Sequence, residues 1–251
     1  MSPRAIAFTL LFYLNTILHV VLAAPALVLP GRRALWLAVH SWISINQRLL
    51  RLCCGIGHEI RFADRVPPGP LIIAAKHQST WEIFSLLSLF SDPVFILKRE
   101  VMWLPFFNLY CLKGGMIPVE RGARSLALAK MLKDAHARIA AGRQILIFPE
   151  GTRRPPGAEP NYKYGVVQLY VELGVPCLPI ALNSGLYWPR HTLRFQPGTI
   201  RAEVLSPIPP GLAAETFLER LQDAIEPATN RLLAEGEREL VGIGGVLGEP
   251  S

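Results

Sequence analysis

Leu71-Ile72-Ile73-Ala74-Ala75-Lys76-His77-Gln78-Ser79-Thr80-Trp81-Glu82 is the stretch that decides the fold class of this chain. Its five uninterrupted apolar residues have the length of a strand buried on both faces. Lys76 and His77 close that run, and from Trp81 to Phe90 the pattern turns helical. The same change recurs downstream. Val94 to Leu97 reads as a strand and Met116 to Val119 as a short extended run. Ser125 to Ala141 has helical periodicity and stops at Gly142. Ile145 to Phe148 is again a strand, and Tyr164 to Leu173 a helix that stops at Gly174. Val175 to Leu182 reads as extended, with Pro176 and Pro179 limiting its pairing. Thr192 to Leu205 suggests a hairpin around Gln196-Pro197-Gly198-Thr199. Ala213 to Glu235 reads as a polar-faced helix. Strands alternating with helices predict an α/β fold, a mixed and largely parallel sheet flanked by helices.

Upstream of this pattern the chain has a different character. From Ala5 to Leu29 there is no Asp, Glu, Lys or Arg. A helix of this length spans a hydrocarbon core of about 30 Å. Pro25 and Pro30 bend or end it, and Arg4, Arg32 and Arg33 flank it. Residues 34–56 are amphipathic, with Trp36, Trp42, Arg48 and Arg51 suited to a membrane–water interface. Three readings stay open. One is a signal peptide cleaved near Ala24-Pro25-Ala26. The others are a single span, and a helical hairpin dipping into one leaflet. The long uncharged run favours retained membrane association. The expected organisation is therefore a membrane-associated helical segment over 1–62, the main domain over 63–240 and a flexible tail over 241–251. The expected location is the membrane, with the main domain facing the cytoplasm.

Composition agrees with a mixed character. Hydrophobic residues make up 51% of the chain and charged residues 18%. Mean hydropathy is +0.30 and the pI about 9.5. The net charge of +7 suits anionic headgroups or acidic substrates. No nucleic-acid-binding signature appears, so nucleic acid is not an expected partner. Cys53, Cys54, Cys111 and Cys177 have neither a metal-ligand spacing nor a disulfide-framework pattern.

Two motifs carry chemistry. In the first, a neutral His77 imidazole at a strand end can accept a proton from a hydroxyl near neutral pH. A carboxylate on its other nitrogen fixes the tautomer and stabilises the imidazolium, and Glu82 stands five residues on. That spacing requires His77 to precede the helix and fold back over its first turn. The alternative is a helix start, with Ser79 or Thr80 near the cap and Glu82 at the dipole. In the second motif, Phe148-Pro149-Glu150-Gly151-Thr152-Arg153, a rigid turn after a strand carries an arginine suited to phosphate or carboxylate. Lys163 and Tyr164 either line the site or begin a solvated helix. Trp103-Leu104-Pro105-Phe106-Phe107 is either core or a lipid-facing rim.

The two motifs together resemble the glycerolipid acyltransferase family, of the 1-acyl-glycerol-3-phosphate acyltransferase type. The first block in that family is His-x-x-x-x-Asp, and the hexapeptide Phe148 to Arg153 is its third. Lys98 through Arg121, with Leu104-Pro105 and Gly115-Met116-Ile117-Pro118-Val119-Glu120-Arg121, is similar to the second. Val175-Pro176-Cys177-Leu178-Pro179-Ile180-Ala181 is similar to the fourth. The resemblance covers roughly residues 70 to 185, with the blocks in family order. It implies His77 as general base and Glu82 as its orienting carboxylate in place of Asp. It implies Arg121, Glu150, Gly151, Thr152 and Arg153 as the glycerol-phosphate site, and Pro179 in a wall. It implies direct transfer of an acyl group from an acyl-CoA or acyl-ACP thioester to lysophosphatidate, giving phosphatidate, with no cofactor. Membrane lipids are then partners. A different lyso-lipid acceptor, such as a lyso-ornithine lipid, and a lipid-ester hydrolase remain alternatives. No Gly-x-Ser-x-Gly elbow is present. Glu82 is one methylene longer than the usual Asp, and Asn108 replaces a frequent glycine.

Overall fold

The structure, a computed structural model, describes residues 3–120 and 124–247. Helices α1 (Pro3–Leu22), α2 (Pro25–Val28) and α3 (Arg33–Cys54) come first. The remainder runs β1 (Ile56–Arg61), β2 (Leu71–Ala75), α4 (Trp81–Ser85), β3 (Pro93–Lys98), α5 (Phe107–Gly114), β4 (Ile117–Val119), α6 (Arg124–Ala140) and β5 (Gln144–Ile147). It continues with α7 (Tyr164–Leu173), β6 (Cys177–Leu182), α8 (Ser184–Tyr187), β7 (Gly198–Val204) and α9 (Ala214–Leu247). The strands form one sheet in the order β1-β7-β6-β2-β5-β3-β4. Every pairing is parallel except β6 with β7. This is the mixed, largely parallel sheet expected from the alternation.

Strand alternation divides the core between the two faces of the sheet. Leu71, Ile73, Ala75, Leu146, Leu178 and Ile180 pack toward α3, Trp81 and Phe84. Ile72, Ala74, Ile145, Cys177 and Ala181 pack toward α6, α7 and α9. Residues of β2 are fully buried on both sides, which is why that strand lacks polar positions. Each such large side chain contributes about 1.5–3 kcal/mol of burial.

Several local expectations change. Residues 192–197 form no strand, so the expected hairpin is absent. Pro189 precedes that stretch and Pro197 ends it, and β7 pairs instead with β1 and β6. Pro179 does not confine β6 to an edge, because β6 lies between β2 and β7. The Pro179 carbonyl accepts from Leu205 on the β7 side. By alternation its missing N–H falls on that side too, just before the β7 ladder begins at Ile180. The sheet also draws β1 from within residues 1–62. Helix α9 continues past residue 240 to Leu247, and 248–251 lie outside the described residues. The run after Trp81 is only five residues of α-helix, followed by a 3-10 turn over Leu86–Leu89.

The N-terminal helices form an antiparallel pair. Asn15 donates to Asn46 at 3.0 Å, Trp42 to Thr16 at 3.0 Å, and Cys54 approaches the Arg4 carbonyl. The pair is built into the domain. Phe8 stacks edge-on against Trp188, and Phe12 meets Phe84. Arg32 and Trp36 both bind Asp92, at the start of β3, as does the buried Arg143. Burial works against charge on Asp92, yet these donors outweigh it and hold the carboxyl below its usual range. By length and composition α1 is apolar enough to cross a membrane, and 17% of its most apolar window is buried.

Candidate active site

Parallel pairing places the C-terminal ends of β2, β5, β3 and β6 along one sheet edge. That edge is where α/β domains hold ligands. Each strand delivers part of a site there. β2 runs into His77, β5 into Phe148 and the hexapeptide, β3 ends at Lys98, and β6 runs into Ser184.

The His77 ring stacks on the Phe148 ring with centroids 3.9 Å apart and planes 12° from parallel. Its Nδ1 lies 2.9 Å from Glu82 Oε1. That same oxygen accepts from the backbone N–H groups of Gln78 and Ser79, each at 2.6 Å. Oε2 accepts from the Ser184 hydroxyl at 2.8 Å. Glu82 is fully buried, so these four donors satisfy a carboxylate that water does not reach. An ionised carboxylate only accepts, so Nδ1 carries the proton and Nε2 is left as the acceptor. Nε2 makes no hydrogen bond to protein among the described residues, and the ring lines a cavity. Both sequence readings of Glu82 describe part of this arrangement: the carboxylate binds the loop backbone before the helix and the imidazole together.

The cavity has a volume of about 790 Å³. Its polar wall includes His77, Thr80, Thr152, Arg153 and Arg190, and Gly151 and Lys163 also face it. Its other walls are apolar, with Val20, Trp42, Leu87, Phe95, Phe107 and Met116 among them. Gly151 adopts φ +64°, a left-handed turn in which its N–H bonds the Phe148 carbonyl at 2.9 Å. That turn aims Arg153 back toward the first motif, where it donates to Thr80 Oγ1 at 2.9 Å. Arg190, from the loop after α8, donates to the Arg153 carbonyl and lies 2.9 Å from His191 Nε2. Burial and the adjacent Arg190 charge both lower the Arg153 guanidinium from its ordinary range. Neither arginine pairs with a carboxylate among the described residues. The Glu82 charge opposes that lowering without bonding Arg153, and two cations that bond no carboxylate among the described residues make a site for an anion.

Glu150 sits elsewhere. It is 1% exposed and does not line the cavity. Its Oε1 accepts from Lys76 Nζ at 3.0 Å, and Lys76 also binds both Glu226 oxygens at 2.8 and 2.9 Å. Tyr162 donates to Glu226 at 2.7 Å. Burial raises the Glu150 carboxyl above the ordinary range, with Lys76 opposing. Glu150 thus lies behind the hexapeptide turn. Arg121, expected in the same phosphate site, lies outside the described residues. Pro179 is in the interior of β6, among residues that pack the sheet.

Sequence reasoning missed Ser184, Thr80, Arg190 and the Lys76–Glu226–Tyr162 group. Ser184 carried a readable signal, since Asn183-Ser184-Gly185 follows a strand at the same edge. Glu226 carried none, because its helix meets Lys76 only through the tertiary fold.

Comparison with known proteins follows the same residues. The model of the family described as Acyltransferase matches residues 58–183. The chain is 37% identical to the 1-acyl-sn-glycerol-3-phosphate acyltransferase of Pseudomonas aeruginosa, over 70% of this chain and 69% of that protein. It is 25% identical to the lyso-ornithine lipid O-acyltransferase of the same organism, over 79% and 89%. The fold matches the crystal structure of the 1-acyl-sn-glycerophosphate (LPA) acyltransferase PlsC from Thermotoga maritima with a TM-score of 0.72 at 22% identity. That match covers 93% of this chain and 96% of the other.

Proposed function

The chain belongs to the acyltransferase family, and from that premise we propose that it moves a fatty acyl group from a thioester carrier to the free hydroxyl of lysophosphatidate, giving phosphatidate. The observation that carries this reading is the shared cavity. One wall holds a base whose Nε2 bonds no protein group among the described residues, another holds Arg153 and Arg190, and the remaining walls are largely apolar.

In the proposed reaction the acceptor hydroxyl gives its proton to His77 Nε2 as its oxygen attacks the thioester carbonyl carbon. Glu82 holds the imidazolium that forms. The carbon–sulfur bond then breaks, and the departing thiolate takes the proton back. The phosphate of the acceptor meets Arg153 and Arg190, and the apolar walls accept an acyl chain. The hexapeptide contributes through Gly151, Thr152 and Arg153, with Glu150 supporting the turn from behind. The reaction as written uses coenzyme A or acyl carrier protein as co-substrate and needs no metal or redox group.

We also propose that α1 and α3 hold the protein on a membrane, with the catalytic domain on its cytoplasmic side. The helical pair supports contact with one leaflet rather than a free span. Near its start α1 packs by Phe8 on Trp188, and near its end the Val20 carbonyl accepts from Tyr110. A helix tied to the domain at both ends lies along it.

A second reading keeps the chemistry and changes the acceptor. It is favoured by the lyso-ornithine relative and by the ability of arginine to bind carboxylate. Purified protein supplied with lysophosphatidate, lyso-ornithine lipid and a neutral lyso-lipid, each with acyl-CoA and with acyl-ACP, tests both. Fastest transfer to lysophosphatidate is the expected result. A preference for the phosphate-free acceptors overturns the first reading, and donor cleavage without acceptor supports a hydrolase.

A further inference from the structure

Trp103 to Phe107, which the sequence reads as core or rim, lies within a longer stretch from Arg99 to Gly114. It comprises a 3-10 turn over Arg99–Trp103, a short link and α5. Arg99 and Glu100 are exposed charges at its start, and from Trp103 onward its outward face is apolar. Trp103 is 73% exposed, Phe106 67% and Leu112 66%, with Leu104 and Leu109 also exposed. Single exposed apolar residues carry no information, but five within ten positions make a patch. Phe106 is held outward by a left-handed backbone, φ 63°, a conformation that aromatic residues rarely adopt. Tyr110 and Cys111 occupy the opposite face of α5, turned toward the protein.

The position of the patch indicates its partner. Tyr110 donates to the carbonyl of Val20, in the last turn of α1. Lys113 Nζ donates to the Leu29 carbonyl at 2.5 Å, just past α2. Carbonyls at helix ends have no partner within the helix, and in an apolar medium such groups must be satisfied by protein. These two contacts make α5 continuous with the exposed apolar face of α1 and α2, where Leu14, Ile17, Val21 and Val28 point outward. Both surfaces border one cavity, to which α1 contributes Thr16 and Val20 and this segment Val101, Phe107 and Tyr110. Tryptophan and phenylalanine beside a basic residue suit the boundary between headgroups and acyl chains.

We infer that the Arg99–Gly114 segment is a second membrane-contacting surface, which enters the same leaflet as α1 and delivers lipid acyl chains to the cavity. This rests on the proposed membrane association of α1. The occupant is a lipid surface.

The test compares two double variants with the full-length protein. Trp103→Glu/Leu112→Glu alters the patch, and Leu14→Glu/Ile17→Glu alters α1. None of these four residues lines the cavity. Binding is measured by sedimentation with vesicles of phosphatidylethanolamine and phosphatidylglycerol. Activity is measured with long-chain lysophosphatidate in those vesicles and with a short-chain, water-soluble lysophosphatidate. The patch variant should lose vesicle affinity by about tenfold or more, since two charges enter an apolar boundary. Its KM for the vesicle-borne acceptor should rise in step, while kcat on the soluble acceptor stays the same. Trp103 fluorescence should be quenched by lipids brominated on the acyl chain, and Trp103→Phe should lose that component. If the α1 variant alone loses binding, the patch is not a membrane surface and the membrane reading stands. If the unaltered protein does not sediment with vesicles, the membrane reading fails and takes this inference with it. If the protein self-associates in solution and the patch variant does not, the patch is a contact between copies and the inference is overturned.

Discussion

Lys76 and His77 are neighbours at the end of one strand, and they face opposite sides of the sheet with opposite outcomes. Each is a nitrogen group held by a carboxylate supplied by a motif, His77 by Glu82 and Lys76 by Glu150. On the His77 side one ring nitrogen is fixed and the other is left to the cavity. On the Lys76 side the ammonium is 3% exposed, meets two carboxylates and does not line the cavity. Similar residue chemistry therefore supports the proposed base in one place and a brace in the other. What separates them is a free valence facing open space, which a list of motif residues does not contain.

The largest effect should come from removing the free valence. His77→Ala should lower kcat by about a thousandfold or more, at the upper part of the range for general base catalysis. Its thermal melting point should fall only modestly, since losing the ring removes the Phe148 stack and one of four donors to Glu82 while Gln78, Ser79 and Ser184 still hold that carboxylate. Melting and kcat measured on the same preparation check both. Retained acyl transfer breaks the comparison, because His77 would then be as structural as Lys76.

The brace should fail in stability first. Lys76→Met leaves Glu150 and Glu226 facing each other without a cation, and breaking a buried pair this way costs about 3–5 kcal/mol. Denaturant unfolding measures it. Glu150→Gln should be milder, since Oε1 keeps its bond to Lys76. Its effect should also depend on pH. A carboxyl raised by burial binds its proton more tightly in the folded protein than in the unfolded chain. Its contribution is fully present below the unfolded value and is lost as pH rises through the folded one. The Gln variant should therefore gain stability relative to the unaltered protein as pH rises. An unchanged difference across that range would remove Glu150 from the sealed pair.

Glu82 joins the two behaviours, being both brace and partner of the base. Glu82→Gln keeps the size but puts a mixed donor and acceptor among four donors, so the amide opposes at least one of them. It should cost about a hundredfold in kcat, the lower end of the range for general base catalysis, and about 1–3 kcal/mol in stability. Glu82→Asp restores the residue expected from the family pattern but shortens the reach to Gln78, Ser79 and Ser184. Its kcat should fall between those of Gln and Glu.

These contrasts also mark what the sequence could reveal. The strands leading to His77 and Phe148 are readable because they are buried on both faces, and the one ending at Lys98 because its first half is; none carries an alternating pattern to confuse it. Their meeting at one edge follows from parallel pairing. The expected hairpin does not form, and the sequence does not reveal this because turn residues at Gln196 to Thr199 look the same whether the following strand pairs with its neighbour or with β1. Pro179 misled because a missing N–H matters only on the side where a ladder needs it. Trp103 to Phe107 left its reading open because the same apolar residues serve core and membrane rim alike. Glu226 was invisible because no local spacing encodes which carboxylate a distant helix brings to Lys76.

The smallest expected effect belongs to Arg190, which tests whether the free side of the site extends beyond the motifs. Its guanidinium lines the cavity beside Arg153 but comes from a loop outside the four blocks. A charge-assisted hydrogen bond contributes about 1.5–3 kcal/mol, and partial exposure at the cavity wall puts this one at the lower end. Arg190→Gln should therefore raise KM for lysophosphatidate about tenfold and leave kcat nearly the same, because it binds the phosphate equally in ground and transition states. For a neutral lyso-lipid the KM should hardly move. Arg190→Lys should recover part of the loss, since the charge returns without the paired N–H groups. Two other results tell against this role. A fall in kcat with KM unchanged would mean that Arg190 acts on the reacting atoms through the Arg153 carbonyl. An equal KM change for charged and neutral acceptors would mean that it only holds the loop in place.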